Sequence, residues 1–226
     1  MEEVTMTLQD AVKGRRSIRK YKPDAVPRSL LQEILETARW APSWGNTQPW
    51  EFYVLTGKPL AEFKKANRQK LKDGEAFSPD IPMPGVWPEA MKKRYMEVGK
   101  SVLEALAVKR EDKDARNEYS LDMAFLFDAP CLMVACIPKD TLVEYAMLDV
   151  GLVTQTICLL AHDRGLGTCI MAFAVGHPAI LKEILSIPED RRVIVGIALG
   201  YPEPDFPLNR FERKRAELSE FVKWVG

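Results

Sequence analysis

Apolar residues recur at helical spacing between Arg28 and Trp40, where Leu30, Leu31, Ile34, Leu35 and Ala38 share one face. Pro42 stops that helix. Trp50 to Leu55 is aromatic and β-branched and reads as a strand. Gly57-Lys58-Pro59 starts another helix, running to about Leu71. Cys131 to Ile137 and Arg192 to Leu199 are continuous apolar runs of strand length, Thr168 to Ala172 is short and extended, and Pro178 to Leu185 is helical. Residues 5–13 read as a short helix with Leu8, Ala11 and Val12 on one face, Thr5 or Thr7 as its cap and Gly14 as its end. Thr141 is placed to cap a long helix reaching Asp163 and closed by Gly165. Its apolar residues, from Tyr145 and Leu148 to Leu159 and Leu160, cover nearly the whole circumference. Such a helix is expected to be buried on all sides, in a core or in a subunit interface. Helices interleaved with about four strands argue for α+β or α/β around one central sheet.

Three stretches break the periodic pattern. Ala41-Pro42-Ser43-Trp44-Gly45-Asn46-Thr47-Gln48-Pro49-Trp50 joins a helix pattern to a strand pattern with two tryptophans, two prolines and a glycine. Each proline removes a backbone donor and fixes φ, so no regular element tolerates that mixture. The stretch reads as one wall of a site. Residues 73–88 form a Gly- and Pro-rich loop carrying Phe77, Ile81, Met83, Val86 and Trp87; a loop this long reads as a lid, a binding loop or a flexible insert. Glu89 to about Phe127 is helix-rich and strongly charged between Lys109 and Glu118. The tail from Glu203 to Gly226 is Pro-rich, then basic at Arg210, Arg213, Lys214 and Arg215. It ends Phe221-Val222-Lys223-Trp224-Val225, which reads as a strand or as an arm docking elsewhere.

Composition narrows the classes. The 226 residues are 46% hydrophobic, enough for a sizeable core in one large domain or a compact pair. Formal net charge is zero, so no global field favours nucleic acid or an anionic membrane. The four cysteines lie in apolar runs without a C-x-x-C pair and read as buried free thiols of a reducing compartment rather than a disulfide or zinc site. The acidic, polar N-terminus carries no secretory signal, and a cytoplasmic location is expected. Tyr145 to Ala161 is interrupted by Asp149 and Gln155, and reads as too short to span a membrane.

Arg15-Arg16-Ser17-Ile18-Arg19-Lys20-Tyr21-Lys22 packs five cations into eight residues with a hydroxyl among them, a set suited to a phosphate. No G-x-x-x-x-G-K-[ST] or G-x-G-x-x-G is present, so any anionic cofactor is held by side chains rather than by a glycine-rich cradle. Gly165-Leu166-Gly167-Thr168-Cys169 reads either as a helix stop with sheet entry or as backbone left bare for a ligand. His162, in a last helical turn, and His177, before Pro178, read as structural, and no cluster suggests a metal. With no nucleophile motif, metal set or acid–base pair, the chemistry of an enzyme here falls to a cofactor.

Taken in order, Arg15 to Arg19, Ala41-Pro42-Ser43 through Gln48-Pro49-Trp50, Gly165-Leu166-Gly167-Thr168, and Gly200-Tyr201-Pro202 with the Arg-rich tail resemble the nitroreductase family, homodimeric flavoenzymes that bind FMN. The resemblance covers nearly the whole chain, and the 73–118 insert resembles more loosely the branch that includes nitrobenzoate reductases. It implies an α+β fold with a central, mixed, mostly antiparallel sheet wrapped by helices, in an intertwined homodimer. The chain would be a single FMN-binding domain over 1–226, with an insert at about 73–127 and a C-terminal arm at about 203–226. By resemblance, Arg15, Arg16, Ser17 and Arg19 grip phosphate, ribityl chain and ring edge, and Arg19 tunes the flavin. Arg213 and Arg215 meet the phosphate from the tail. Ser43, Asn46 and Gln48 arrive from the second subunit, and Ile170, Met171 and Ala172 pass near N5. Trp44, Phe77 and Trp87 are candidates for the substrate pocket, Trp87 reading equally as simple packing. The implied activity is ping-pong hydride transfer from NADH or NADPH through FMN to a nitroaromatic, quinone or related acceptor. The alternative is a flavin store or sensor without turnover.

Overall fold

A computed structural model describes residues 6–226. Four strands form one sheet: β1 (Glu51–Thr56), β2 (Cys131–Pro138), β3 (Gly167–Met171) and β4 (Arg191–Gly200), in the order β1-β2-β4-β3. Every pairing between them is antiparallel. The mixed sheet expected from sequence is therefore corrected; the one parallel contact among the described residues is a single bridge, Ser17 to Thr168. β2 is central and buried nearly throughout, as its unbroken apolar run demands.

The helices are α1 (Leu8–Gly14), α2 (Arg28–Ala38), α3 (Gly57–Lys72), α4 (Glu89–Ala105), α5 (Lys113–Ala124), α6 (Val143–Asp163), α7 (Pro178–Leu185) and α8 (Leu218–Phe221). Alternation along β2 sends Leu132, Val134 and Cys136 to one core with Leu60 and Phe63 of α3 and Leu181 of α7. Cys131 and Met133 face the other, with Leu31 and Ile34 of α2 and Val153 and Ile157 of α6. All four cysteines are buried and free.

Several sequence expectations shift in detail. α1 begins at Leu8, where Thr7 Oγ1 accepts the Asp10 N–H at 3.1 Å; Thr5 lies outside the described residues. α6 starts at Val143, two residues past Thr141, because the Thr141 hydroxyl donates to the Pro138 carbonyl at 2.7 Å and so serves the preceding turn rather than the helix. By length and mean hydropathy α6 is long and apolar enough to cross a membrane, contrary to the sequence reading. It is nevertheless a core helix, with Val150, Val153, Ile157 and Ala161 packed inside. Its burial is one-sided within the chain: Tyr145 and Leu148 stay 50% and 58% exposed. The 73–88 loop is docked over its first half. Phe77 stands edge-on to Phe173 and His177, Ser78 N–H donates to the Gly176 carbonyl, and Asp80 accepts from the Val193 N–H at 2.8 Å. Its second half, from Pro82 to Pro88, is exposed and leads into α4.

Candidate functional site

The cation run Arg15 to Lys22 is laid along the end of the sheet by backbone bonds. Ile18 N–H donates to the Thr168 carbonyl, Lys22 N–H to the Tyr201 carbonyl, and Glu203 N–H to the Lys20 carbonyl. The buried Tyr21 hydroxyl donates to the Ile18 carbonyl at 3.0 Å, and burial pushes its pKa well up, so it stays a neutral donor. Gly167 makes the close approach possible: a Cβ there would lie 2.9 Å from Ile18 Cβ.

The tail closes over this run through Asn209. Its side chain is 6% exposed, accepts the Arg19 N–H at 2.7 Å, and donates to the Lys20 and Glu203 carbonyls at 2.9 and 2.8 Å. Its own carbonyl accepts from Arg16 Nη1 at 2.7 Å. Arg213 reaches back to the Arg15 and Lys13 carbonyls, and the Arg19 guanidinium stands 5.6 Å over the Phe211 ring. Arg215 is exposed and, among the described residues, bonds only the neighbouring Lys214 carbonyl.

Between these segments lies a cleft of about 410 Å³, lined by Gly14, Arg15, Arg16, His162, Thr168 and Asn209 among others, with no carboxylate among the described residues of its wall. Among the described residues, none of Arg15, Arg16, Arg19, Arg213 and Arg215 is ion-paired with an acidic side chain. Arg15 Nε is buried without a partner among the described residues. Burial, then the neighbouring Arg16, Arg215 and Arg15 charges, push the Arg213 pKa down, the mark of crowded like charge. A pocket with this donor set and an orphaned guanidinium nitrogen fits a phosphate-bearing ligand.

Ser17 bridges to β3 at Thr168, and the segment Ile170-Met171-Ala172 runs out of β3 with Ile170 and Ala172 exposed and Met171 buried. The structure thus gathers Arg15, Arg16, Ser17, Arg19 and Arg213 around one end of the sheet, next to the strand that carries 170–172. Ser43, Asn46 and Gln48 lie elsewhere. Their loop is a tight left-handed turn, with positive φ at Gly45, Asn46 and Gln48. It is held internally by Gln48 N–H donating to Ser43 Oγ at 2.9 Å and by Gln48 Nε2 donating to Asn46 Oδ1 at 3.1 Å. From below it is held by Asp149 of α6, only 2% exposed, which accepts the Trp44 N–H at 3.0 Å. Trp44, Phe77 and Trp87 are not brought into one pocket within the chain: each pairs with a different aromatic, Tyr145, Phe173 and Tyr95 respectively.

Sequence reasoning missed Asp149 and Asn209 as organisers of the site. Asp149 did carry a signal, being a lone carboxylate inside an apolar helix, which must find a partner once buried. Asn209 carried none, since a single amide in a Pro-rich tail matches no pattern.

An antiparallel sheet flanked by helices, with a cationic cleft where its end meets the tail, defines an α+β protein built to hold an anionic ligand by side chains. The nitroreductase family model matches residues 12–201, and the chain belongs to that family of oxidoreductase enzymes. It is 35% identical to the 4-nitrobenzoate reductase of Nocardioides sp. (strain LMS-CY), over 95% of this chain and 88% of that protein. It is 30% identical to the nitrobenzene nitroreductase of Ectopseudomonas oleovorans, over 96% of each. Among solved structures, the FMN and NADPH-dependent nitroreductase NfnB from Sphigopyxis sp. strain HMH superposes with a TM-score of 0.93 at 27% identity, covering 97% of this chain and 99% of that one. The FMN-dependent NfnB from Mycobacterium smegmatis, solved with NADPH, gives 0.91 at 26% identity, covering 96% and 97%.

Proposed function

We propose that this protein is an FMN-dependent NAD(P)H oxidoreductase that reduces nitroaromatic acceptors, working as a homodimer. The cationic cleft, which has no carboxylate among its described residues and an Arg15 Nε unpartnered among them, carries the reading. Arg15 and Arg213 hold the phosphate, joined by Arg215 once it turns inward. Arg16 and Ser17 flank the ribityl chain, and Arg19 stands at the ring edge. Residues Ile170 to Ala172 support the ring through backbone. FMN, once bound, would supply hydride transfer at N5 between NADH or NADPH and an acceptor, in ping-pong order. The Arg19 cation favours the anionic reduced ring, so its loss lowers the reduction potential. The nitrobenzoate- and nitrobenzene-reducing relatives support a nitroaromatic acceptor.

In this reading the whole chain is one FMN-binding domain, with an insert at about 73–127 and an arm at about 203–226. The dimer is supported by the exposed Tyr145, Leu148 and Leu152 on one side of α6, by the open edge of β1, and by the tail, whose Trp224 is 86% exposed. An apolar arm and a bare sheet edge on the same chain suit exchange between two copies. Ser43, Asn46 and Gln48 then face the flavin of the partner subunit, and Trp44 meets the insert of that subunit around the acceptor.

The test is anaerobic addition of NADH or NADPH to FMN-loaded protein, followed by 4-nitrobenzoate. Rapid bleaching and then re-oxidation by the nitro compound are expected. A flavin that binds but stays oxidised would mean a store or sensor, and protein that binds no FMN would defeat the reading.

A further inference from the structure

We propose that His162 belongs to the anion-binding half of the cleft and takes up a proton when a phosphate enters, so that an imidazolium joins Arg15 and Arg213 as a third donor. The inference rests on the FMN reading above, and its test separates the two.

His162 sits in the last turn of α6 and lines the same cleft as Arg15 and Arg16. Its ring is pressed against bare backbone: a Cβ on Gly14 would lie 2.5 Å from His162 Nε2. Gly14 therefore makes room for an imidazole beside the arginines, where any larger residue would push it away. The charged groups facing the ring are Arg15 and Arg16 from the segment after α1, Arg213 from the tail, and Asp163 from its own helix. Asp163 is already engaged by Arg164, which also bonds Glu33 at 2.7 Å. The field at the imidazole is thus positive from three sides. Burial, then Arg15 and Arg213, hold its pKa below the ordinary value of 6.5, so the ring is neutral near neutral pH in the empty cleft.

A phosphomonoester reverses that field. It brings a charge of about −1.5 to −2, concentrated on three acceptor oxygens. A neutral imidazole carries N–H on one nitrogen only, whereas the imidazolium carries it on both, so the nitrogen nearer the phosphate is always a donor and a compensating charge stands beside it. The proton comes from solvent and adds to the free ring nitrogen; no other bond changes. Above about pH 7 the phosphate already enters as its dianion, its second pKa being about 6, so uptake there belongs to the protein.

The chain has two histidines, which makes the event directly observable. His177 stands against Phe77 with Glu75 and Lys70 as its charged neighbours, and serves as the internal reference. Histidine labelled at Cε1 is titrated by NMR in FMN-free protein, with riboflavin, with FMN, and with inorganic phosphate, the His162→Gln variant giving the assignment. FMN and phosphate are expected to shift the His162 titration upward, leaving the ring mostly protonated at about pH 7, while riboflavin leaves it unmoved. Calorimetry of FMN binding at about pH 7.5, in buffers of differing ionisation enthalpy, is expected to show proton uptake that His162→Gln abolishes. That variant should also weaken FMN about tenfold at pH 7, the equivalent of one lost charge-assisted bond. A His162 titration that neither FMN nor phosphate moves, or uptake that survives in His162→Gln, overturns the proposal. Protein that binds no FMN but whose His162 still responds to phosphate upholds the anion site and defeats the flavin reading instead.

Discussion

Replacing Asn209 with alanine tests whether the cation run and the tail are one unit. The substitution removes three side-chain hydrogen bonds, to the Arg19 N–H and to the Lys20 and Glu203 carbonyls, from a residue only 6% exposed. Each stranded backbone group costs about 1–3 kcal/mol where water is excluded. Asn209 also borders the cleft, so water can reach part of the space it leaves, and the net cost is about 2–4 kcal/mol. For a chain of this length that lowers Tm by roughly 5–12 °C. The Arg19 N–H loses its side-chain acceptor while the bond from Arg16 to the backbone carbonyl at 209 remains, so the run loosens at Arg19 and FMN affinity should fall about tenfold. Denaturant unfolding at fixed protein concentration and FMN fluorescence titration measure the two effects. Asn209→Asp sharpens the test. It keeps an acceptor for the Arg19 N–H but turns the donor that serves two carbonyls into a second acceptor, so it should be no more stable than the alanine variant. A loss under about 0.5 kcal/mol with unchanged FMN affinity would refute the reasoning, because a surface amide behaves that way.

Asp149→Ala takes the acceptor from the Trp44 N–H and should cost about 1–3 kcal/mol, raise hydrogen exchange at Trp44, and weaken FMN although Asp149 never touches it; FMN affinity equal to wild type would exclude the loop from the site. Gly167→Ala places a methyl against Ile18 and should destabilise by about 1–3 kcal/mol, as read from denaturant midpoints. Both histidines are held below 6.5, chiefly by burial. Their folded pKa values lie under the unfolded ones, so FMN-free protein should be most stable above pH 6.5 and lose stability as pH falls below it; a flat profile from pH 7 to 5 in urea titrations would contradict that burial. Burial pushes the Cys131 and Cys136 thiols up to about 12 and the Cys169 thiol up to about 11, so folded protein should resist thiol reagents at about pH 8 and lose stability as pH rises above 9.

The parts of this molecule that announce themselves in sequence are those with a local physical cause. β2 is legible because a strand buried on both faces must be apolar at every position. α2 is legible from its single apolar stripe, and the 15–19 cation run from charge density alone. What stays hidden depends on contacts across the chain. The all-antiparallel order β1-β2-β4-β3 is a matter of pairing, to which composition is indifferent. α6 reads as apolar all round, yet one face is bare within the chain, and periodicity cannot say what covers it. Thr141 looks like a cap, but its hydroxyl is taken by the preceding turn. His162 looked structural because no motif surrounds it; its arginine neighbours come from segments some 150 residues earlier and 50 later in the chain.

One rigid rod links the loop to the cleft. Asp149 and His162 stand on the same helix, about 20 Å apart at 1.5 Å per residue. In the proposed dimer each α6 therefore serves two flavins, its own at the His162 end and that of the partner subunit through the Trp44 loop. This gives the pair a genetic signature. Consider a mixed dimer in which one chain carries Asp149→Ala and the other His162→Gln. If the loop acts in trans, both lesions fall on one flavin and the other site is whole, so half the wild-type complement is restored. If the loop acts in cis, each flavin suffers one lesion and neither site is whole. Two defective chains that together build one sound site would complement each other, and α6 is the element that decides it.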